Sequence, residues 1–166
     1  MQHHHLATGI VIRDGQLLIV ASRYPNHEQP LWNLPGGRQQ PGELLAETVV
    51  REVFEETGLR VEPGEVAYIG ESYDGDTHFL NVAFTLRLVR GGSSFETRAA
   101  RAPQDDRGSS DHVAAVEWVP IDQVADRIVV AVVREPLLAY LRGELPERYA
   151  GFHEAGITIE WPADSR

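Results

Sequence analysis

The sequence predicts an α+β fold in which helices cover a mixed β-sheet, and three observations lead to that prediction. Two apolar segments flank Asp14-Gly15, which is a strong signal for a β-hairpin. A helical pattern runs from about Glu43 to Thr57 and is followed by Gly58. Apolar residues then alternate with polar or small ones within residues 77–90, as in a half-buried strand. Strands on both sides of a helix favour a sheet that helices cover.

The composition fits a single domain over residues 1–166, with a core at about 6–142 and a C-terminal extension at 143–166. Hydrophobic residues make up 42% of the chain, which is enough for a sizeable core. The sequence has no cysteine, which excludes disulfides and cysteine-ligated zinc and favours a reducing, cytoplasmic setting. Because the sequence has no signal-peptide pattern and no bilayer-spanning apolar stretch, we expect no membrane partner.

The charge balance limits the class of partner. The chain has 15 basic and 25 acidic residues, and its net charge is −10. Broad binding to a nucleic acid polymer needs a basic face, so this balance argues against such a partner. A small phosphate-bearing substrate remains compatible, because a divalent metal can lie between an acidic protein and an anion.

The elements of the first half follow from turn residues. Strands are predicted at residues 6–13 and 16–22, and a loop with Pro25 and Pro30 leads to the segment LWNLPGG. The helix follows Pro41-Gly42, and Gly58 ends it as a C′ glycine. The tract His3–His5 favours a frayed terminus or a cloning remnant, with metal binding as the alternative.

The second half is predicted in the same way. Strands at 64–73 and 77–90 flank the turn Asp74-Gly75-Asp76. Residues 91–111 form one long loop, which is either disordered or closes over a substrate with its arginines. The sequence next predicts a strand, VAAVEWVP, then a helical region at 121–142 broken at Pro136, and a short strand, ITIEW.

The predicted helix has two distinct faces at 100° per residue. Its carboxylates Glu52, Glu55 and Glu56 are separated by three and four residues and share one face. The apolar arc would pack under the sheet, so we expect the carboxylates to point away from the core; this arc consists of Ala46, Val49, Val50, Val53 and Phe54. Like charges at this spacing repel, which favours a hard divalent cation among them. A solvated acidic face without a ligand is the alternative.

The same residues carry a resemblance to a known family. Gly37, then Glu43, then the run REVFEETGL from Arg51 to Leu59 match the Nudix box at every defined position. The resemblance implies a Nudix-type α/β/α sandwich. It also implies an enzyme that uses Mg²⁺ or Mn²⁺ to hydrolyse a diphosphate linkage in a nucleoside diphosphate joined to another moiety.

The resemblance also implies roles for individual residues. Glu52, Glu55 and Glu56, together with the Gly37 carbonyl, are the implied metal ligands. For the general base we favour Glu52, with Glu56 second. Arg51 would orient the site through a bridge to Glu43, and an ordinary surface ion pair is the alternative.

Two residues outside the box are further candidates for substrate binding. Arg23 ends the second predicted strand and could hold a phosphate through its guanidinium. His112 stands where relatives often carry a glutamate, about six residues before Trp118, and could act as base or contact the substrate. Because of this departure, a glutamate outside the box is in doubt as the general base. An exposed arginine and a loop histidine without a role are the alternatives.

The substrate within this class stays open at this stage. Marker residues of individual subfamilies are missing, which leaves nucleoside triphosphates, including oxidised ones, nucleotide sugars and other nucleoside diphosphate derivatives. Trp32, Tyr24, Tyr73 and Phe79 could stack on a base. The competing hypothesis is a nucleotide-sensing module that has lost turnover, but such relatives usually lose glutamates that this chain retains. Many relatives are dimers, so a homodimer is compatible with the resemblance.

Overall fold

The computed structural model describes residues 1–90 and 112–156. The predicted loop at 91–111 and the predicted strand ITIEW lie outside the described residues. Within the described part the chain forms the strands β1 (Gln2–Arg13), β2 (Gln16–Ser22), β3 (Leu31–Asn33), β4 (Gly36–Arg38), β5 (Val61–Asp74), β6 (Thr77–Leu88), β7 (Val113–Pro120) and β8 (Tyr149–Phe152). Its helices are α1 (Leu45–Thr57), α2 (Val124–Arg127) and α3 (Ala131–Leu141), and a 3₁₀ turn at Ile121–Gln123 precedes α2.

The strands form a mixed sheet in the order β3-β2-β1-β6-β5-β8, with β4 paired to β1 and β7 paired to β2. Strand β1 runs parallel to β6, and β8 runs parallel to β5, while the other pairs are antiparallel. The two ends of β1 have different partners. Residues 2–11 pair with β6, whereas Ile12 and Arg13 pair with β2.

Helices pack on both faces of this sheet, because successive side chains of a strand point to opposite faces. On β2, Leu17 and Ile19 join a buried cluster with Leu137 of α3. Leu18, between them, joins a second cluster with Val49 and Val53 of α1. The predicted α+β sandwich with a mixed sheet is therefore confirmed.

The turns that the sequence predicted are present. Asp14 and Gly15 both have positive φ, at 51° and 73°, as a two-residue hairpin turn requires. Gly58 has φ 74° at the end of α1, and its N–H donates to the Phe54 carbonyl. Gly75 has φ 55° between β5 and β6. The turn residues therefore determine where these strands and the helix end.

Helix α1 begins at Leu45, two residues after the predicted start at about Glu43. The turn after Pro41-Gly42 continues to Glu43, whose N–H donates to the Gln40 carbonyl. The Glu47 carboxylate then accepts a hydrogen bond of 2.7 Å from the Leu44 N–H, which is half of a capping box. Glu43 thus lies in the turn before the helix.

The predicted break at Pro136 was also wrong. Pro136 lies inside α3 and is buried, and the helical region is instead interrupted at residues 128–130. There Ile128 has extended backbone angles and is fully buried. β-branched side chains lose rotamer freedom in a helix, and burial of Ile128 and Val130 in the core favours the extended path.

Other features were not predicted from the sequence. Strands β3, β4 and β8 lie in segments that carried no strand prediction. The tract His3–His5 is not frayed, because it belongs to β1 and pairs with residues 78–80 of β6. In the described parts of the chain, no helix is long and apolar enough to cross a membrane.

Candidate active site

The acidic residues of α1 are less exposed than the sequence indicated. Glu52 and Glu56 are only 4% and 5% exposed, so the expectation that the carboxylates point away from the core was wrong for these two. The Glu55 side chain is 34% exposed. Phe54, which we had assigned to the apolar arc, is 44% exposed and lies outside the core. The reason is that β4 lies against the acidic side of α1 and covers it.

Two glycines of β4 make this close approach possible. A Cβ at Gly37 would lie 2.5 Å from the Glu52 Cδ and 2.6 Å from its Oε1. A Cβ at Gly36 would lie 2.2 Å from the Ala7 carbonyl oxygen on β1. The Gly36 N–H donates a hydrogen bond of 2.7 Å to Glu56 Oε1. Glycine is therefore required at 37 to bring backbone against a carboxylate, and at 36 to pair with β1.

Arg51 connects the carboxylates to one another. Its Nη1 lies 2.8 Å from Glu52 Oε1 and 3.2 Å from Glu55 Oε2. Its Nη2 donates to the Arg38 carbonyl at 3.1 Å, just after Gly37. One guanidinium thus joins two of the three predicted ligands to the end of β4.

Glu43 binds the other side of the same guanidinium. Its two oxygens accept from Arg51 Nε at 2.5 Å and Nη2 at 3.0 Å. It also accepts from the Thr48 hydroxyl at 2.8 Å and from the Gln40 N–H at 3.1 Å. The hydrogen bonds from Arg51 lower the pKa of Glu43 to about 2. The predicted bridge between Glu43 and Arg51 is present, and it is a fixed bidentate pair.

Glu56 has the opposite electrostatic environment. Burial raises its pKa well above the usual value, and the neighbouring Glu52 and Glu55 charges raise it further. The Gly36 N–H and Arg51 oppose these effects. The cluster therefore holds more negative charge than its protein partners compensate.

The donor set fits a hard divalent cation in its chemistry. Carboxylate oxygens and a backbone carbonyl are the ligands that Mg²⁺ and Mn²⁺ prefer. The Glu52 carboxylate occupies the space that a Cβ at Gly37 would fill, directly against the Gly37 backbone. Among the described residues, no three such side chains are already arranged around a common metal position, since Arg51 and the Gly36 N–H occupy their oxygens.

A pocket lies on the other side of β4 and β1 from the carboxylates. The end of β3 contributes Asn33 and the turn after it contributes Leu34, and the sheet and the start of α3 provide most of the remaining lining residues. Tyr24 links the pocket to the acidic cluster. It lines the pocket, and burial, followed by the Glu56 charge, raises the pKa of its hydroxyl to about 12. The charge of the acidic cluster therefore acts on a side chain of this pocket.

Of the other residues that the sequence suggested for substrate binding, only some line the pocket. The Arg23 N–H donates to the His112 carbonyl at 2.7 Å, so the structure brings these two residues together where β2 ends and β7 begins. Neither residue lines the pocket, and Arg23 is exposed. Of the four predicted stacking aromatics, Tyr24 and Phe79 line the pocket.

The remaining two aromatics contact protein groups. The Arg127 guanidinium lies 4.5 Å from the Trp32 ring centroid, and the Tyr73 and His78 ring centroids are 4.8 Å apart. Sequence reasoning missed Asn81, a pocket residue of β6. Its only signal was a polar residue between Phe79 and Ala83 on one face of a strand.

Comparison with known proteins gives matches along most of the chain. The family model described as NUDIX domain matches residues 3–141. The chain is 30% identical over 174 aligned residues to a putative mutator protein MutT4 of Mycobacterium tuberculosis, covering 99% of this chain but 64% of that protein. It is 34% identical over 85 residues to an ADP-ribose pyrophosphatase of Methanocaldococcus jannaschii, covering 50% of each.

The fold has a close counterpart among solved structures. A NUDIX hydrolase from Nitrosomonas europaea superimposes with a TM-score of 0.67 over 89% of this chain and 93% of that one. The two sequences are 23% identical, so this likeness concerns the fold.

Proposed function

This chain belongs to the Nudix family, and on that premise we propose that it hydrolyses a diphosphate linkage in a nucleoside triphosphate or nucleoside diphosphate derivative, with a divalent cation. The observation that carries the proposal is the pair of buried carboxylates, Glu52 and Glu56, held against Gly36-Gly37 of β4. Buried carboxylates without full compensation are costly for a fold. Because they lie together in one cluster, we infer that they bind a cation.

In this proposal Mg²⁺ or Mn²⁺ would be held by Glu52, Glu55 and Glu56, with the Gly37 carbonyl as a further ligand. When bound, the cation would neutralise the diphosphate charge and lower the pKa of a water molecule. Glu55 is the most exposed of the three, and in this proposal its carboxylate would turn from Arg51 toward the cation. Arg51, held by Glu43, would then keep Glu52 in position as a positioning residue.

Removal of a proton from the attacking water is the step that a carboxylate of this chain can perform. We assign it first to Glu52 and second to Glu56. Glu52 lies against the β4 backbone and accepts a hydrogen bond from the Arg51 guanidinium. Burial raises the pKa of Glu56, which favours proton uptake, but its Oε1 accepts from the Gly36 N–H.

The substrate proposal stays at the level of the linkage. One relative is named as an ADP-ribose pyrophosphatase and another as a mutator protein, so their names do not point to one nucleotide. The net charge of −10 and the pocket beside the cluster favour a small nucleotide over a nucleic acid polymer or membrane. Phosphate binding by Arg23 and His112, a cytoplasmic location and a homodimer also stay proposals.

The test is the Glu56→Gln variant, which keeps the size of the side chain and removes its charge. Phosphate release from a panel of nucleoside triphosphates, dinucleotides and nucleotide sugars is measured with Mg²⁺, after coupling to a phosphatase where needed. We expect the activity of Glu56→Gln to fall at least 10³-fold, since the residue is a ligand in the proposal. Glu47→Gln, an exposed residue of the same helix, is the matched control and keeps its activity.

Two results would contradict the proposal. If Glu56→Gln retains the activity of the unmodified chain, the cluster does not carry the reaction. If the unmodified chain binds nucleotides and releases no phosphate from any of them, it is the nucleotide-sensing module described above.

A further inference from the structure

The surface of this pocket is mainly apolar, although half of its lining residues carry a polar or charged group. Apolar surface comes from Leu34, Phe79 and Val133, and polar groups come from Thr8, Glu71 and Asn81. Such a lining suits a flat, largely apolar ring system whose edge carries polar atoms. Thr8 pairs with Gly36, whose N–H binds Glu56, so the pocket and the carboxylates share one short piece of backbone.

One polar side chain of this pocket, Asn81, has a buried oxygen without a partner among the described residues. Its Nδ2 donates a hydrogen bond of 3.1 Å to the Thr8 hydroxyl. Its Oδ1 is buried and has no hydrogen-bond partner among the described residues. A buried carbonyl oxygen without a donor is uncommon in folded proteins, because its lost hydration is not replaced. The unpaired oxygen therefore indicates a place for a donor that the protein does not supply.

The strand register leaves space next to this oxygen. Asn81 lies between Leu6 on β1 and Gly70 on β5. A Cβ built on Gly70 would meet no atom within 4 Å, so the position across the strand from Asn81 is open. Phe79 and Asn81 are two residues apart on β6, and both line the pocket. A planar ring lying against Phe79 could thus bring its edge toward the Asn81 carboxamide.

We infer that this pocket takes the nucleobase of the substrate, and that the Asn81 side-chain oxygen accepts a hydrogen bond from an N–H group on the base. This inference rests on the proposed function, and it makes Asn81 a specificity-determining residue. The class of substrate follows from it: nucleotides whose base presents an N–H donor on the edge that enters the pocket. Bases in which that N–H is absent or methylated leave the buried oxygen unpaired and are rejected.

The experiment uses pairs of nucleotides that differ in one N–H group of the base. The pairs are GTP with inosine triphosphate, ATP with purine riboside triphosphate, CTP with the triphosphate of zebularine, and UTP with N3-methyluridine triphosphate. For each pair, kcat/KM and the Kd from calorimetry are measured on the unmodified chain and on Asn81→Leu, which keeps the volume and removes the acceptor. Asn26→Leu, the same replacement at an exposed position, is the matched control.

We expect the unmodified chain and Asn26→Leu to prefer one N–H-bearing member over its partner by at least tenfold. Asn81→Leu should reduce that preference to less than threefold, mainly by weakening the better substrate. Gly70→Val, which fills the open space, should lower kcat/KM for every nucleotide at least tenfold and leave ribose 5-triphosphate unaffected. This second variant tests the location of the base even if Asn81→Leu is unstable.

The failures of the two proposals are distinguishable. If Asn81→Leu keeps the full preference within the pair, or if Gly70→Val hydrolyses all nucleotides normally, the inference about the base is wrong and the hydrolase proposal stands. If the unmodified chain hydrolyses nothing but shows an Asn81-dependent preference in Kd, the hydrolase proposal is wrong and the inference about the base stands.

Discussion

At the scale of single residues, Gly37 determines where the Glu52 carboxylate can lie. The nearest atoms to a Cβ at this position all belong to the end of the Glu52 side chain, at 2.5 to 2.8 Å. A flexible side chain can move away from such a contact at small cost, whereas backbone cannot. Gly36 differs in this respect, because its nearest neighbour is the Ala7 carbonyl oxygen at 2.2 Å. Adjacent glycines therefore serve different purposes, one for the site and one for the sheet.

The Gly37→Ala variant is expected to lose activity while retaining its fold. The new methyl group displaces the Glu52 carboxylate, so phosphate release with Mg²⁺ should fall at least tenfold, since displaced catalytic groups cost this much or more. Its thermal midpoint should change by only about 1–3 °C. Gly36→Ala should instead lower the midpoint by more than about 5 °C, because its new methyl group would clash with the backbone of β1. A fully active Gly37→Ala enzyme would contradict the proposed position of Glu52.

At the scale of elements, Glu43 connects the turn before α1 to the middle of the helix. It binds the Gln40 N–H, the Thr48 hydroxyl and the Arg51 guanidinium. Its side chain is 19% exposed, which reduces the screening of these contacts by solvent. The turn, the helix and, through Arg51, the end of β4 are thus held as one unit.

The Glu43→Gln variant should lose an acid-sensitive part of the stability. The pKa of Glu43 is lowered to about 2 in the folded chain, compared with about 4.3 when unfolded. Its contribution is therefore present above the unfolded pKa and disappears as the pH falls through the folded pKa. We expect Glu43→Gln to lower the free energy of unfolding by about 1–2 kcal/mol at pH 7, with the difference shrinking toward pH 2. Urea titrations at pH 3, 5 and 7 measure it.

Glu62→Gln is the matched control for this prediction. Glu62 also pairs with an arginine, Arg87, but the two side chains are 52% and 80% exposed. Exposed ion pairs contribute little, so this substitution should change the free energy of unfolding by less than about 0.5 kcal/mol at all three pH values. Equal effects of the two substitutions would show that the Glu43 pair is an ordinary surface pair.

The elements also show which features a single sequence can predict. The hairpin at Asp14-Gly15 and the helix end at Gly58 depend on a few neighbouring residues, and both were predicted correctly. Strands β3 and β4 have three residues each, which is too short for a periodic pattern. Strand β8 exists through its pairing with β5, about 80 residues earlier in the chain, and local patterns do not report such pairing.

The sequence indicated which residues form the candidate site, but it did not indicate that two of them are buried. The box identified Glu52, Glu55 and Glu56 as a group, but a helical wheel assigns carboxylates to solvent by default. Their burial depends on β4, which packs there because Gly36 and Gly37 carry no side chain. Asn81 gave no signal because its unpaired oxygen results from the positions of two neighbouring strands. Burial and unpaired polar atoms of this kind result from tertiary packing, which local sequence patterns do not report.

At the scale of the whole molecule, a chain with a net charge of −10 buries two of its carboxylates, Glu52 and Glu56, in its interior. The raised pKa of Glu56 means that its ionised form is disfavoured by the folded environment. This part of the cost grows as the pH rises above the unfolded pKa, which is about 4.3. At neutral pH the folded chain without a cation should therefore be less stable than a chain with a neutral side chain at this position.

The Glu56→Gln variant is accordingly expected to separate stability from cation response. Without divalent cations its thermal midpoint should equal or exceed that of the unmodified chain. Addition of Mg²⁺ or Mn²⁺ should raise the midpoint of the unmodified chain by about 3–8 °C, because a ligand at 10 to 100 times its Kd stabilises by about 1.4–2.7 kcal/mol. The same addition should leave Glu56→Gln nearly unchanged. Sodium chloride at equal ionic strength controls for general screening of the net charge. A rise of equal size in both proteins, or with sodium chloride alone, would mean that the cation acts on the surface charge and that the buried cluster does not bind it.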